Sequence, residues 1–193
     1  MARRKYEFRP DRFDSGWLDK LYLTPKQRQA ILKWTLYAVV LTVLSVLQDV
    51  VFSRIRYLGG TTDLLPCAIV LICLEEGSER GSLFALIASA CYAFSGSAPG
   101  LYCIVLITFL GVFSAMFRQG FLRRGFAASM LCASVAVWLY ELIVFGIVLF
   151  FGQMPLFRWP AMAVTGIATL AAAPVLYPIV GAVGKIGGET WKD

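Results

Sequence analysis

Apolar residues are grouped in six blocks separated by short polar breaks. The first runs from the region of Trp34 to Phe52, and five more follow: Leu64–Leu74, Ser82–Phe94, Leu101–Phe117, Phe126–Phe151 and Ala161–Val183. The longest, Phe126–Phe151, holds a single charge, Glu141, and a run of that length reads as a membrane-spanning helix. The pattern predicts an all-α, polytopic membrane helix bundle of six transmembrane helices. The first helix has a legible start at "TPKQ", with Thr24 as N-cap, Pro25 at the first helical position and Gln27 completing a capping box. It is expected to run from Pro25 through Phe52, with Trp34 and Tyr37 as interfacial aromatics.

The second and third blocks are short. Eleven residues span about 16 Å as a helix, against about 30 Å of hydrocarbon core. They are expected to form a tilted hairpin shielded by longer neighbours, because "EEGSER" between them is too charged to lie in lipid. Four crossings with one re-entrant hairpin is the alternative. Pro174 and Pro178 are expected to bend the sixth helix.

Composition agrees with the pattern. The 193 residues are 59% hydrophobic and 16% charged, with a mean hydropathy of +0.71. Soluble chains carry about a quarter charged residues. The reading is therefore residues 1–33 as a basic cytoplasmic tail, its end helical and continuous with the first membrane helix. Residues 34–185 form the six-helix domain and 186–193 a short cytoplasmic tail. The first residues are too polar for a cleaved signal peptide, so the N-terminus is expected to be kept.

Charge then sets the expected orientation. The net charge is +6, and nine of the eighteen Lys and Arg residues lie in the first 33 positions. Adding Arg80, Arg118, Arg123, Arg124, Lys185 and Lys192 puts fifteen on the side of the N-terminus in a six-helix topology. Only Arg54, Arg56 and Arg158 fall on the other side. The positive-inside rule then places both termini in the cytoplasm. A basic tail beside membrane helices reads as a topology and anionic-lipid determinant, with no nucleic-acid partner.

Two stripes of small residues recur every four positions: Gly81, Ala85, Ser89 and Ala93 in the third helix, and Ala161, Thr165, Thr169 and Ala173 in the sixth. Such stripes let helix backbones approach closely in lipid, and packing within the monomer is their simplest use. The five cysteines (Cys67, Cys73, Cys91, Cys103, Cys132) lie in apolar stretches with no C-x-x-C pair, and the chain has no histidine. They read as small buried packing residues. Zinc sites, Cys–His nucleophiles and phosphate loops have no support, so the chain reads as a non-enzyme with no cofactor.

Depth counting singles out four polar residues, Gln48, Asp49, Ser95 and Glu141, with Thr165 approaching them. Gln48, Glu141 and Ser95 lie on helices that rise in the same direction, each about 21–24 Å beyond the start of its crossing. Asp49 is adjacent, and Thr165 reaches the same level from the opposite side. An ionised acid at a helix centre costs about 2.5–3.5 kcal/mol, so Glu141 is expected to face inward and to be protonated or paired. Its carboxyl is then within direct or one-water reach of Gln48, Asp49 or Ser95, as an intramembrane polar layer or a partner contact. No second deeply buried carboxylate is expected, because Asp49 lies too near the outer end, beside Arg54 and Arg56.

The order of these features resembles the rod shape-determining protein MreD family. "SVLQDVVF" resembles its Ser-x-x-Gln element, and "TTDLLPCAIVLI" its Asp-Leu-Leu opening of the second helix. "GSERGSLFALIASACYAFSG" stands where the family has a small-residue helix, Glu141 where members often carry an acid, and "LYPIVGAVGKI" where they close. The resemblance covers Trp34 to Lys185. One departure stands out: Ser95-Gly96 occupies the place of an aspartate that usually ends the third helix. The resemblance implies a non-enzymatic scaffold of the bacterial elongation machinery in the cytoplasmic membrane. It also implies an MreC-like bitopic partner, the actin-like MreB and the lateral peptidoglycan synthase. The alternative is the substrate-capturing subunit of an energy-coupling-factor vitamin transporter. Those subunits often carry Ala-x-x-x-Ala in the first helix, where this chain reads Ala38-Val-Val-Leu-Thr42.

Overall fold

The computed structural model describes residues 25–55, 59–121, 125–152 and 155–186. Thr24 and the tail before it, Arg56, Arg123, Arg124 and the closing residues with Lys192 lie outside the described residues. Every regular element described is helical. The six α-helices are α1 (Pro25–Leu47), α2 (Leu64–Glu76), α3 (Ser78–Phe94), α4 (Tyr102–Phe121), α5 (Phe126–Phe150) and α6 (Trp159–Gly184). A π-helical turn, Gln48–Phe52, continues α1, and a short 3-10 turn, Leu156–Arg158, leads into α6.

Four segments are long and apolar enough to cross a membrane: Gln27–Phe52, Tyr102–Gly120, Phe126–Phe150 and Leu156–Gly184. They mark the chain as a multi-pass membrane protein. The two short helices fall below that length, and α2 shows why it can be short. All of its thirteen residues but Glu75 are buried, and it packs against α1, α3, α4, α5 and α6. It is the centre of the bundle. Its roughly 20 Å need not match a bilayer, because the other helices stand between it and the surroundings. By contrast, α3 turns Leu83, Leu86 and Ile87 outward, so the shielding expected of the hairpin belongs to α2 alone.

The expected polar turn is also mostly helix. Glu75 and Glu76 close α2, Ser78 to Gly81 open α3, and Gly77 alone separates them. Its φ of 86° lies in the left-handed region, where a side chain is costly and glycine is not. At the other end Pro66 falls in the first turn of α2, where its missing N–H interrupts no helical hydrogen bond. Meanwhile α6 stays one helix through both Pro174 and Pro178.

Both small stripes serve contacts inside the chain. Gly81, Ala85 and Ser89 are buried, and Ala93 is half-buried. The Ser89 hydroxyl hydrogen-bonds the Ile104 carbonyl (3.3 Å) and Thr108 (3.1 Å), tying α3 to α4. A Cβ on Gly81 would stand 2.9 Å from Cys73 Cα, so α2 and α3 touch backbone to backbone there. Replacing Gly81 by Ala is expected to destabilise the protein by about 1–3 kcal/mol through this overpacking. Gly146→Ala, whose Cβ would meet nothing within 4 Å, is expected to stay within about 0.5 kcal/mol. Reversible unfolding in mixed micelles checks the pair, and equal effects would refute the contact. On α6, Ala161 and Thr165 seat the loop before α2: a Cβ on Gly60 would lie 2.5 Å from the Ala161 carbonyl oxygen.

Four cysteines are buried, but Cys91 is exposed on α3, contrary to the expectation that all five pack inside. All five are free thiols.

Candidate functional site

The buried face of α1 and the π turn that continues it carries Lys33, Tyr37, Leu44 and Gln48, a helical stripe that places a polar group at each end. At its far end the ladder widens into the π turn, with the Ser53 N–H donating to the Gln48 carbonyl at 2.8 Å. A π turn inside a helix shifts the register of the side chains beyond it, and such turns recur at functional positions.

Gln48 binds the start of α2. Its Oε1 accepts from the N–H groups of Leu64 (3.0 Å) and Leu65 (3.2 Å), and its Nε2 donates to Asp63 Oδ1 at 2.8 Å. The Tyr92 hydroxyl donates to Asp63 Oδ2 at 2.6 Å, and the Asp63 N–H donates to Thr169 Oγ1 at 3.1 Å. Thr165 Oγ1 accepts from the Thr61 N–H at 3.2 Å. The first N–H groups of a helix lack intrahelical acceptors, and at a buried end something else must supply them. Here a side chain from α1 does so, and Asp63 joins α1, α3 and α6 to the same point.

Beside this network lies a cleft of about 290 Å³. Its polar wall includes Gln48, Asp63 and Glu141, its apolar wall includes Val144, Phe145 and Val148 of α5, and Arg158 and Thr165 also line it. Glu141 is 8% exposed, so it faces inward. Among the described residues its carboxyl receives no hydrogen bond. Gln48 shares the cleft with it but is engaged with Asp63 and the α2 amides. Asp49 and Ser95 do not line the cleft, although Ser97 beside them does. Both are exposed, and Ser97 bridges them, donating to Asp49 Oδ1 at 2.5 Å and sharing a 3.1 Å hydrogen bond with Ser95. The four residues of the expected layer therefore form two groups, and depth along the helix does not distinguish them.

The opposite end of α2 holds a second cluster. Lys33 Nζ lies 2.6 Å from Glu76 Oε1, and the Tyr37 hydroxyl donates to the same oxygen at 2.9 Å. Both charged side chains are almost fully buried. Arg118 donates to the Leu74 carbonyl at 2.6 Å and pairs with Glu75 at 3.4 Å, placing a cation at the C-terminal end of α2 where its dipole favours one. Lys33 and Arg118, counted above as loop and tail charges, are thus interior residues. The expectation of a single deep acid is corrected as well: Glu76 is buried, and Asp63 sits half-buried in the network.

Sequence reasoning missed Asp63, Tyr92 and Glu76 as site residues. Asp63 was visible only as part of the Asp-Leu-Leu element, and Glu76 read as a polar loop residue. Among the described residues no group of His, Cys, Asp or Glu is disposed to hold a metal ion. The cleft offers acceptor oxygens and an apolar wall, which suits a bound donor or cation.

These features define a multi-pass helical membrane protein built around a buried central helix, both of whose ends are satisfied by side chains from its neighbours. The chain matches no protein-family model, no curated protein and no solved structure.

Proposed function

We propose that the chain is a non-enzymatic membrane scaffold of the bacterial cell-elongation machinery, similar to MreD. In this reading it crosses the cytoplasmic membrane six times, keeps both termini in the cytoplasm and binds an MreC-like bitopic protein in support of lateral peptidoglycan synthesis. One observation supports it above the others. Two of the elements that carry the resemblance, Ser-x-x-Gln and Asp-Leu-Leu, meet through the Gln48–Asp63 hydrogen bond at 2.8 Å. Residues fifteen positions apart that act as one structural unit give the combined motif a physical reason, since without the other Gln48 Nε2 loses its acceptor and Asp63 Oδ1 its donor.

The test is gentle extraction from native membranes, followed by identification of what co-purifies. An MreC-like bitopic protein is the expected partner. The cleft beside Glu141 favours a second reading, capture of a vitamin by a transporter subunit. A tightly bound vitamin with no such protein partner would replace the scaffold reading with that one.

A further inference from the structure

The cleft presents an imbalance that the scaffold reading leaves unused. Two carboxylates, Asp63 and Glu141, line one space of about 290 Å³. Asp63 is engaged by Gln48 and Tyr92. Glu141, more than nine-tenths buried, accepts no hydrogen bond from any described residue. Its carboxyl opens on the cleft with no donor among the described residues, and two acids lining one confined space repel each other. A proton on one acid relieves that repulsion, and so does a cation with several N–H donors, which also satisfies the acceptor oxygens. A primary ammonium has three and no acceptor, which suits oxygens from two acids at once.

The other walls narrow the choice. Arg158, exposed at the cleft, complements an anion. Val144, Phe145 and Val148 form an apolar wall on α5. At roughly 30 Å³ per water, the volume corresponds to about ten water molecules, which is room for a compact head group. We infer that this cleft binds a primary ammonium linked to a nearby anionic group, the chemistry shared by an aminophospholipid head group and a free phosphoethanolamine. The ammonium lies between Glu141 and Asp63, and Arg158 receives the phosphate. The inference rests on the cleft alone and holds whichever protein the chain partners.

Native mass spectrometry of the purified full-length chain tests it, with dioleoyl phosphatidylethanolamine and dioleoyl phosphatidylcholine added in separate titrations. The two lipids share phosphate and chains, but the choline head has no N–H. One charge-assisted hydrogen bond is enough for a preference of about tenfold, so the ethanolamine lipid should be retained about tenfold better. Glu141→Gln should abolish the preference, and Arg158→Gln should weaken binding of both lipids. Competition by free phosphoethanolamine at concentrations close to that of the lipid would show that the head group alone accounts for binding and point to a soluble ligand. Competition only at large excess would show that the acyl chains add to binding and point to the lipid; either is consistent with the proposed chemistry. Equal retention of the two lipids by the unmodified protein would overturn the proposal without recourse to any variant. So would an undiminished preference in a folded Glu141→Gln protein.

Discussion

Replacing Lys33 by methionine is expected to destabilise the protein by about 3–5 kcal/mol, the usual cost of stranding one member of a buried ion pair. The loss comes less from the missing attraction than from the charge left behind. Glu76 Oε1 accepts from Lys33 (2.6 Å) and Tyr37 (2.9 Å), while its Oε2 has no hydrogen-bond partner among the described residues. Without Lys33 a single phenol faces an otherwise unpaired carboxylate at the end of a buried helix. The ring cluster of Trp34, Tyr37 and Phe84, with centroids 5.3 to 5.9 Å apart, closes the site beside it and leaves the acid no easy route outward. A double variant, Lys33→Met with Glu76→Met, removes the stranded charge and is expected to recover part of the loss, since an apolar pair of similar volume often matches a buried ion pair. Reversible unfolding in mixed micelles measures both. A single variant within about 1 kcal/mol of the parent would show that water reaches Glu76 freely.

Gln48→Leu is expected to be nearly as damaging, for a different reason. The side chain gives three hydrogen bonds at once, two accepted from the first amides of α2 and one donated to Asp63. Leucine fills the space but strands two buried N–H groups and removes one donor from the carboxylate. At about 1–3 kcal/mol for each stranded buried group, the total loss should reach about 3–5 kcal/mol. Hydrogen exchange separates this mechanism from a packing defect. Protection should fall first at the Leu64 and Leu65 amides, ahead of residues in the middle of α2. A uniform loss of protection along α2, or unchanged exchange at those two amides, would refute the proposed role of Gln48.

Much of the architecture was legible from the order of residues alone. The later helices, α2 to α6, match the apolar blocks to within about four residues at either end, because a helix satisfies its backbone within its own segment. Four of the six segments also met the length that a crossing needs. The inward placement of Glu141 was legible too, from the cost of leaving a charge in lipid. The π turn was not, since no residue in "QDVVF" demands it.

What the sequence could not decide is which helix stands at the centre. Apolar on every side, "LLPCAIVLICL" looks the same whether lipid or protein surrounds it, and only an amphipathic stripe would have told the two apart. The partners of the polar residues follow from that choice. Lys33 reads as the last charge of a tail and Glu76 as part of a loop until α1 and α2 pack side by side, 43 residues apart in sequence, and each becomes the other's counter-ion. Asp63 and Tyr92 likewise meet across 29 positions. Helices form from local hydrogen bonds, which a sequence displays directly. Their rotation and neighbours are set by close packing and by the need to satisfy every buried polar group, and those conditions exist only once the whole bundle has assembled.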